Sequence, residues 1–407
     1  MMIRRILLLI AISLAHQAMY SQVAGRPAEK PTVVVLSLDG FRYDYASRTH
    51  TPCLDSLAAH GVKAEHFIPG FPTLTFPNHY SLATGLYPDH HGIVHNQFYD
   101  FQLDKTYSVG DRKAVEEPAF YGGEPIWITA AEQGIRTASY FWVGSEAAIA
   151  GRHPDIWHKY NQKIPFQQRA DSVIAWLQLP EASRPRLIMW YFHEPDESGH
   201  DLGPENPAVL TEIQKLDQEL GIFLKKLNQL PNAEFIHFIL VSDHGMQQLD
   251  PENRVRFLED FVKEEWLDRV TGYNPVMNLD CKVGFEDSVY QALKKGDHFQ
   301  VFKNTEIPEY WHYGSNPREL EMTVVADSAW VFRSRKSSYD SRGAHGYDNR
   351  NPNMHGIFYA TGKLFQHGKS IPELETVDLY GIICRLLEIT PAKNDGHPEK
   401  FDTIFVR

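Results

Sequence analysis

Cysteine is scarce in this sequence. The 407 residues include three, Cys53, Cys281 and Cys384, which lie far apart in the chain. An odd number at such spacings does not indicate a disulfide framework, and at most one pair could form. None stands beside a cluster of histidine and aspartate, so we expect buried free thiols.

A long apolar run is also missing. The apolar run near the N-terminus, ILLLIAISLA at residues 6–15, falls well short of the ~20 residues that a membrane-spanning helix needs. It follows Arg4 and Arg5, a pattern typical of a secretory signal peptide. We therefore predict a signal peptide at residues 1–21 and an exported protein, periplasmic or secreted, with no stable membrane span. Cleavage after Ser21 would remove both arginines and take the formal charge from −12 to −14.

Basic residues do not predominate. The chain has 40 lysines and arginines against 52 acidic residues, a formal charge of −12. This balance argues against binding a nucleic-acid duplex, which requires a basic surface. The hydrophobic content of 43% is enough for one large core or two smaller ones. The sequence shows no internal repeat and no low-complexity segment.

Short apolar runs alternate with helical patterns along most of the chain. The runs that predict buried strands are residues 32–38, 137–142, 186–192, 235–241 and 356–360. The segments that predict helices are residues 52–60, 77–85, 124–134, 165–179, 207–229 and 376–387. Such alternation predicts an α/β fold with a mostly parallel central sheet and helices on both faces.

Residues 250–340 interrupt that alternation. They are charged and aromatic and show little sustained periodicity, so we interpret them as an inserted cap or lid. The catalytic α/β domain would then comprise residues 28–249 and 341–407. Residues 97–123 are polar and aromatic, which predicts a loop or a short hairpin over the site.

A threonine lies at the start of one predicted helix. In the stretch FPTLTFPNHYSLATGL, Pro77 suits the first helical position and Gly85 a helix end. Thr75 would then stand beside free backbone N–H groups, where an anion such as phosphate is favoured. The alternative is that Thr75 is an ordinary helix cap.

Three aspartates follow the ends of predicted buried strands. These are Asp39, Asp196 and Asp243, and two of them have histidines nearby, His200 and His244. Ligands of open α/β sheets bind beyond the carboxyl ends of the strands. Converging carboxylates repel one another unless cations lie between them, and aspartate with histidine suits Zn²⁺. Alone, each Asp-Gly or Asp-His-Gly segment could also be a turn.

The order of these motifs resembles a known family. LSLDG, TFPNHYSLATGLYPDHHGIVHN, EPDESGH, VSDHGM and GAHGYDN look like the nucleotide pyrophosphatase/phosphodiesterase family of the alkaline phosphatase superfamily, here as an exported bacterial member. The resemblance extends over about residues 30 to 400 and implies two zinc ions, about 4 Å apart as in other two-metal sites. By motif match, one zinc would be held by Asp39, Asp243, His244 and Thr75, and the other by Asp196, His200 and His345.

The same resemblance assigns roles in the reaction. Thr75 takes the place of the nucleophile, and Asn96 that of a donor to a phosphate oxygen. Phe76, Tyr160 and Tyr191 match the aromatic residues of the family's nucleotide slot. For the third histidine ligand we prefer His345, in GAHGYDN, to His355 in NMHGIFYA.

The sequence departs from its relatives at two positions. Leu74 stands where several relatives carry lysine, and His193 where a glutamate is common. Neither position belongs to the implied metal ligands, but both bear on which diester is preferred.

We therefore expect a dizinc hydrolase of nucleoside 5′-phosphodiesters and nucleotide pyrophosphate bonds, acting through a phosphothreonine intermediate. Its partner would be a small nucleotide or phosphodiester, and the sequence does not identify any protein partner. Three alternatives stay open: a phospholipid-headgroup phosphodiesterase, a phosphomonoesterase on the same scaffold, and a non-catalytic metal-binding surface protein. Monoesterases commonly hold the extra charge of their substrate with arginine, and none lies within the motifs.

Overall fold

The computed structural model describes residues 30–406. The predicted signal peptide lies outside these residues. The strands, numbered in chain order, are β1 (Thr32–Leu38), β2 (Val62–Ile68), β3 (Gln97–Asp100), β4 (Lys105–Ser108), β5 (Thr137–Tyr140), β6 (Ile156–His158), β7 (Leu187–Phe192), β8 (Ile236–Val241), β9 (Gln247–Gln248), β10 (Val255–Phe257), β11 (Leu267–Tyr273), β12 (Val276–Cys281), β13 (Phe299–Lys303), β14 (Met322–Ala326), β15 (Val331–Arg333), β16 (Gly343–Ala344), β17 (Gly356–Thr361) and β18 (Lys369–Glu375).

The α-helices are numbered in the same way. They are α1 (Pro52–His60), α2 (Thr75–Thr84), α3 (Pro88–His91), α4 (Arg112–Val115), α5 (Ile126–Glu132), α6 (Phe166–Leu177), α7 (Asp196–Leu202), α8 (Pro207–Asn228), α9 (Glu286–Leu293), α10 (Asp378–Leu387) and α11 (Pro398–Phe401). The predicted strands and longer helices all occur, with ends that differ by about two residues.

The central sheet has eight strands in the order β18-β2-β17-β8-β1-β7-β5-β6. β1 lies in the middle and pairs in parallel with β7 on one side and with β8 on the other. Within this sheet β17 runs antiparallel to both of its neighbours. The predicted α/β class with a mostly parallel sheet is confirmed.

Both faces of the sheet are covered, because every side chain of β1 is buried. Val33 and Val35 pack into the apolar cluster that also contains residues of α2, α5 and α10. Val34 and Leu36 point to the other face, into a cluster with residues of α1, α6 and α8. Successive side chains of a strand alternate between faces, so one apolar run supplies both cores.

Two strands at one side of the sheet were not predicted. β2 (VKAEHFI) and β18 (KSIPELE) mix buried with exposed positions, and β18 contains a proline. β18 is an edge strand, where proline and charge are tolerated. Their polar residues hide the apolar pattern that identifies the central strands.

Residues 250–340 are far more regular than their sequence indicates. They hold a four-stranded antiparallel sheet, β11-β12-β14-β13, and the helix α9. These elements share a third apolar cluster, to which Ala344 and Tyr347 of the later chain also contribute. The division of the chain at residues 250 and 340 stays a prediction. We call residues 250–340 the cap segment.

Residues 97–108 form a hairpin of β3 and β4 that lies against the cap segment. The guanidinium of Arg269 lies 3.5 Å from the ring centroid of Tyr99. Within residues 30–406, no helix combines the length and apolar character needed to cross a bilayer. All three cysteines are free; Cys281 and Cys384 are buried as predicted, whereas Cys53 is half-buried.

Candidate active site

Thr75 is the first residue of α2, following Leu74 in extended conformation. The expectation that Pro77 opens the helix was wrong, because Pro77 is the third helical residue. The first turn tolerates this, since its N–H groups have no helical partner. The backbone N–H of Phe76, which has no partner within the helix, donates to Oδ1 of Asn96 at 3.1 Å. This hydrogen bond holds Asn96 beside the start of α2.

One cluster of predicted ligands is fully buried. Asp39 follows β1, and Asp243 and His244 follow β8, so the parallel pairing of the two strands brings them together. Nε2 of His244 lies 3.3 Å from Oδ1 of Asp39 and 3.1 Å from Oδ2 of Asp243. Oγ1 of Thr75 lies 3.1 Å from the same nitrogen. We call Asp39, Asp243 and His244 the inner cluster.

The other predicted ligands meet beyond the end of β7. Asp196 and His200 stand four residues apart in α7, on one helix face, and His345 follows β16. Nε2 of His200 lies 3.5 Å from Oδ2 of Asp196, and Nε2 of His345 lies 3.6 Å from Oδ1. The rings of His345 and His244 stack with centroids 3.6 Å apart. We call Asp196, His200 and His345 the outer cluster, which therefore adjoins the inner one.

Hydrogen bonds to the backbone determine how the three histidines face. Their Nδ1 atoms lie within hydrogen-bond distance of carbonyl oxygens of Gly343, Gly245 and Thr73, at 2.8, 2.8 and 2.9 Å for His200, His244 and His345 respectively. When each Nδ1–H donates to its carbonyl oxygen, the Nε2 atom of the same ring carries no proton and directs its lone pair into the clusters. The Nε2 atoms of His200 and His345 then approach to 3.1 Å as two acceptors. A cation between them satisfies both.

The carboxylates of the two clusters also require a cation. Oδ1 of Asp39, Oδ1 of Asp196 and Oδ2 of Asp243 are buried and have no hydrogen-bond partner among the described residues. Burial, reinforced by the charges of Asp243 and Asp196, raises the pKa of Asp39 well above its ordinary value. Asp243 is equally buried, but His244 and His79 hold its pKa below the ordinary value. Oxygen and imidazole donors within 4.8 Å of one another fit divalent cations, Zn²⁺ in particular.

His79 belongs to the site although it was not predicted. It lies on α2 one turn after Thr75, and its Nδ1 is 3.1 Å from Oδ2 of Asp243 and 3.0 Å from the carbonyl oxygen of Thr75. Its Nε2 lies 2.9 Å from Oγ of Ser37. The signal was available in the i, i+4 spacing of Thr75 and His79, which puts both on one helix face.

The predicted aromatic slot is partly brought together. The rings of Tyr160 and Tyr191 lie with centroids 6.0 Å apart. The Tyr191 hydroxyl also donates to Oδ2 of Asp39 at 2.6 Å, which fixes the orientation of that carboxylate. Phe76 packs on the opposite core, 6.4 Å from the ring of Tyr107.

Three other histidines of the sequence motifs make their contacts away from the two clusters. Nδ1 of His355 lies 3.0 Å from Nδ1 of His66, and its Nε2 lies 2.9 Å from the carbonyl oxygen of Asn349. His355 is therefore not part of the outer cluster. His90 pairs with Asp395, and His91 lies within hydrogen-bond distance of Ser81.

A cavity of about 180 Å³ opens onto Thr75 and the outer cluster. Thr75, Asn96, Asp196 and His345 contribute to its wall, together with residues of the cap segment. A larger cavity, of about 820 Å³, lies at the other end of the sheet, near the start of β8. It contains none of the cluster residues, so the chemistry belongs to the smaller one.

Comparison with known proteins agrees with this geometry. Residues 33–348 match the family model for type I phosphodiesterase / nucleotide pyrophosphatase. Ectonucleotide pyrophosphatase/phosphodiesterase family member 3 of Bos taurus is 33% identical over 388 residues, which is 90% of this chain and 43% of that protein. Venom phosphodiesterase 2 of Crotalus adamanteus is 33% identical over 389 residues, with 90% and 46% covered. The chain thus spans less than half the length of these curated relatives.

Solved structures cover the chain more completely. Murine ectonucleotide pyrophosphatase/phosphodiesterase 5 superimposes with a TM-score of 0.88 at 33% identity, covering 92% of this chain and 100% of that one. An inactive threonine-to-alanine variant of the same murine protein, in complex with AMP, superimposes with a TM-score of 0.89 at 33% identity, with 93% and 100% covered.

Proposed function

The chain belongs to the type I phosphodiesterase/nucleotide pyrophosphatase family, and from that premise we propose that it is a metal-dependent hydrolase of nucleoside 5′-phosphodiesters and nucleotide pyrophosphate bonds. The products are a nucleoside 5′-monophosphate and an alcohol or pyrophosphate. AMP bound to the murine neighbour supports a nucleotide substrate. We further propose that the protein acts after export, as the N-terminal sequence indicates.

One observation carries the proposal: unpartnered carboxylate oxygens and imidazole lone pairs converge beside Thr75. Asp39, Asp243, His244 and Thr75 would hold one zinc ion, and Asp196, His200 and His345 a second. When bound, the zinc ions lower the pKa of a coordinated hydroxyl and neutralise charge on phosphate oxygens.

The chain's own groups perform the displacement. Thr75 Oγ1 loses its proton to solvent and forms a bond to phosphorus while the bond from phosphorus to the leaving oxygen breaks, and the leaving alcohol takes a proton from solvent. Water then attacks phosphorus, the bond from phosphorus to Oγ1 breaks, Oγ1 takes up a proton, and the monophosphate is released. The Phe76 N–H holds Oδ1 of Asn96 at the start of α2, where the amide Nδ2 can donate to a phosphate oxygen as negative charge develops.

The base of the nucleotide would occupy the aromatic slot. Tyr160 is half-buried and lies beside the buried Tyr191, whereas Phe76, at the start of α2, packs towards Tyr107. Stacking on such rings tolerates any base. We therefore expect weak discrimination between bases.

Two nitrophenyl substrates test the proposal. Zinc-loaded protein should cleave nitrophenyl thymidine 5′-phosphate far faster than nitrophenyl phosphate, and a chelator should abolish this activity until zinc is restored. Faster cleavage of the monoester would show a phosphomonoesterase on this scaffold. Zinc binding without cleavage of either compound would favour the lipid-headgroup or non-catalytic alternatives.

A further inference from the structure

The cap segment supplies part of the cavity wall. Tyr273 is the last residue of β11, Asn274 follows it directly, and Tyr339 precedes β16. All three line the same cavity as Thr75 and the outer cluster. We call Tyr273, Asn274 and Tyr339 the cap wall. It lies beside the outer cluster. Because Thr75 contacts His244 of the inner cluster, an in-line attack by Thr75 would direct the leaving group towards the outer cluster and the cap wall.

Hydrogen bonds hold the cap wall in place. The side chain of Asn274 is buried; its Oδ1 accepts from the backbone N–H of Phe332 at 2.9 Å, and its Nδ2 donates to the Tyr339 hydroxyl oxygen at 3.0 Å. Because Tyr339 accepts there, its own hydroxyl proton remains available to a group in the cavity. Burial raises the pKa of Tyr339 to about 12, so this proton is retained at neutral pH.

Tyr273 joins the cap wall to the proposed phosphate donor. Tyr273 and Asn96 both line the cavity. The ring of Tyr273 rests edge-on against the buried His95, with centroids 5.2 Å apart. The Phe76 N–H orients the amide of Asn96 through its Oδ1, with Tyr273 beside it in the cavity wall.

The wall carries no positive charge. Among residues 30–406, those lining this cavity include no lysine and no arginine, and Leu74 and Ala344 add apolar surface. Basic side chains of the cap segment and the chain just after it are engaged elsewhere: Arg269 with Tyr99, Arg335 with Asp260, Lys336 with Glu264 and Arg342 with Glu252. The wall can donate and accept hydrogen bonds, but it cannot neutralise an anion.

We propose that the cap wall selects an uncharged, hydroxyl-bearing leaving group, so that the chain hydrolyses nucleoside phosphodiesters in preference to nucleoside triphosphates. This inference rests on the proposed function. A leaving nucleoside or sugar offers hydroxyls to Tyr339 and Asn274, whereas leaving pyrophosphate carries several negative charges. Cations bound at the two clusters would contact the reacting phosphate of either substrate in the same way. The preference between the two substrates would therefore arise at the cap wall.

The test compares two substrates that release the same product. Adenylyl-(3′→5′)-adenosine and ATP both yield AMP, with adenosine or pyrophosphate leaving. We expect kcat/KM of the zinc-loaded protein to be at least about tenfold higher for the dinucleotide, and Tyr339→Lys to reduce this ratio about tenfold by placing a cation beside pyrophosphate. Tyr339→Phe should lower kcat/KM for the dinucleotide about threefold through a lost hydrogen bond, with little effect on ATP.

A charge control and a measurement without turnover complete the test. Val283→Lys adds the same charge at a 95% exposed position of the cap segment and should leave the ratio unchanged. In a Thr75→Ala background, calorimetry should show tighter binding of the dinucleotide than of ATP, and Tyr339→Lys should reverse that order.

Equal or faster cleavage of ATP by the unmodified protein, or a ratio insensitive to Tyr339→Lys in a folded variant, would overturn the inference and leave the proposed function standing. If neither substrate is cleaved, the proposed function fails. Calorimetry on the Thr75→Ala protein then decides the inference separately, since tighter binding of ATP overturns it.

Discussion

The inner and outer clusters use the same ligand types but differ in access to solvent. The inner side chains, Asp39, Asp243 and His244, are 2%, 0% and 0% exposed. The outer side chains, Asp196, His200 and His345, are 18%, 31% and 7% exposed. Water can solvate the outer groups partly, whereas it cannot reach the inner ones.

This difference separates the tasks of the two clusters. Each inner carboxylate has one buried oxygen without a hydrogen-bond partner, which is costly in the absence of a cation, so the inner cluster needs bound metal to be stable. The outer cluster faces the cavity, where water and the leaving group must enter. We therefore expect the inner site to hold its metal more tightly and the outer site to exchange it faster.

The largest expected effect separates turnover from metal binding. Thr75→Ala removes the attacking hydroxyl but leaves all six aspartate and histidine ligands, so diesterase activity should fall by at least about a thousandfold. Metal content, measured by mass spectrometry, should stay close to that of the unmodified protein. Thr211→Ala, on the exposed surface of α8, is the matched control and should keep full activity. A Thr75→Ala protein that retains most activity would exclude the nucleophile role.

Metal affinity should distinguish the two clusters. Asp243→Asn removes a charge from a fully buried site, and the free energy of unfolding and the metal content should both decrease. Asp196→Asn should lower the content by one equivalent and change the unfolding free energy less, because Asp196 is partly solvated. The ratio of bound metal to protein after dialysis and the denaturant midpoint measure these effects. Equal destabilisation by both substitutions would contradict the distinction.

The inner cluster also predicts how the stabilising effect of zinc depends on pH. In the metal-free fold Asp39 has a pKa raised above its ordinary value of 3.8, mainly by burial and then by the neighbouring carboxylates. The folded state therefore holds a proton that the unfolded chain has lost, and this contribution to stability disappears as pH rises through the raised pKa.

Bound zinc removes that penalty and competes with protons, so the increase in Tm on adding zinc should be larger at pH 8 than at pH 5. Scanning calorimetry with and without zinc at the two pH values measures it. The Asp39→Asn protein, which lacks the titrating carboxyl, should show a weaker dependence. A larger zinc-induced increase in Tm at pH 5 than at pH 8 would contradict a raised pKa of Asp39.

The smallest effects concern the groups that orient the ligands. Tyr191→Phe removes the hydrogen bond to Oδ2 of Asp39, and Ser341→Ala removes a contact 3.0 Å from Nδ1 of His200. Loss of such partners typically weakens metal binding by about 10- to 100-fold. We expect Tyr191→Phe to have the greater effect, because water cannot replace its hydroxyl at a buried carboxylate. Zinc competition with a fluorescent chelator would measure both, and a greater effect of Ser341→Ala would reverse the assignment.

The sequence predicted those parts of the molecule whose signals are local. Asp39 and Asp243 were found because each follows an apolar run that a strand buried on both faces requires, and neighbouring parallel strands bring their ends together. The placement of His345 beside Asp196 depended on the family resemblance, since about 150 residues separate them in the chain.

Other features depend on contacts that no local pattern reveals. β11 and β13 of the cap segment were missed because they mix buried with exposed positions, which hides an apolar pattern. The roles of Tyr191 and His79 depend on hydroxyl and imidazole contacts that form only after β1, β7 and α2 have packed. Export, the predicted cap boundaries and bacterial origin remain predictions.

The most direct test of the central claim is the metal content of the folded chain during stepwise chelation. We predict two equivalents of zinc per chain, with one lost first under mild chelation and the second retained until a stronger chelator is applied. The Asp196→Asn protein should lack the equivalent that is lost first. A chain that binds no more than one equivalent while cleaving diesters at full rate would contradict the assignment of two metal sites.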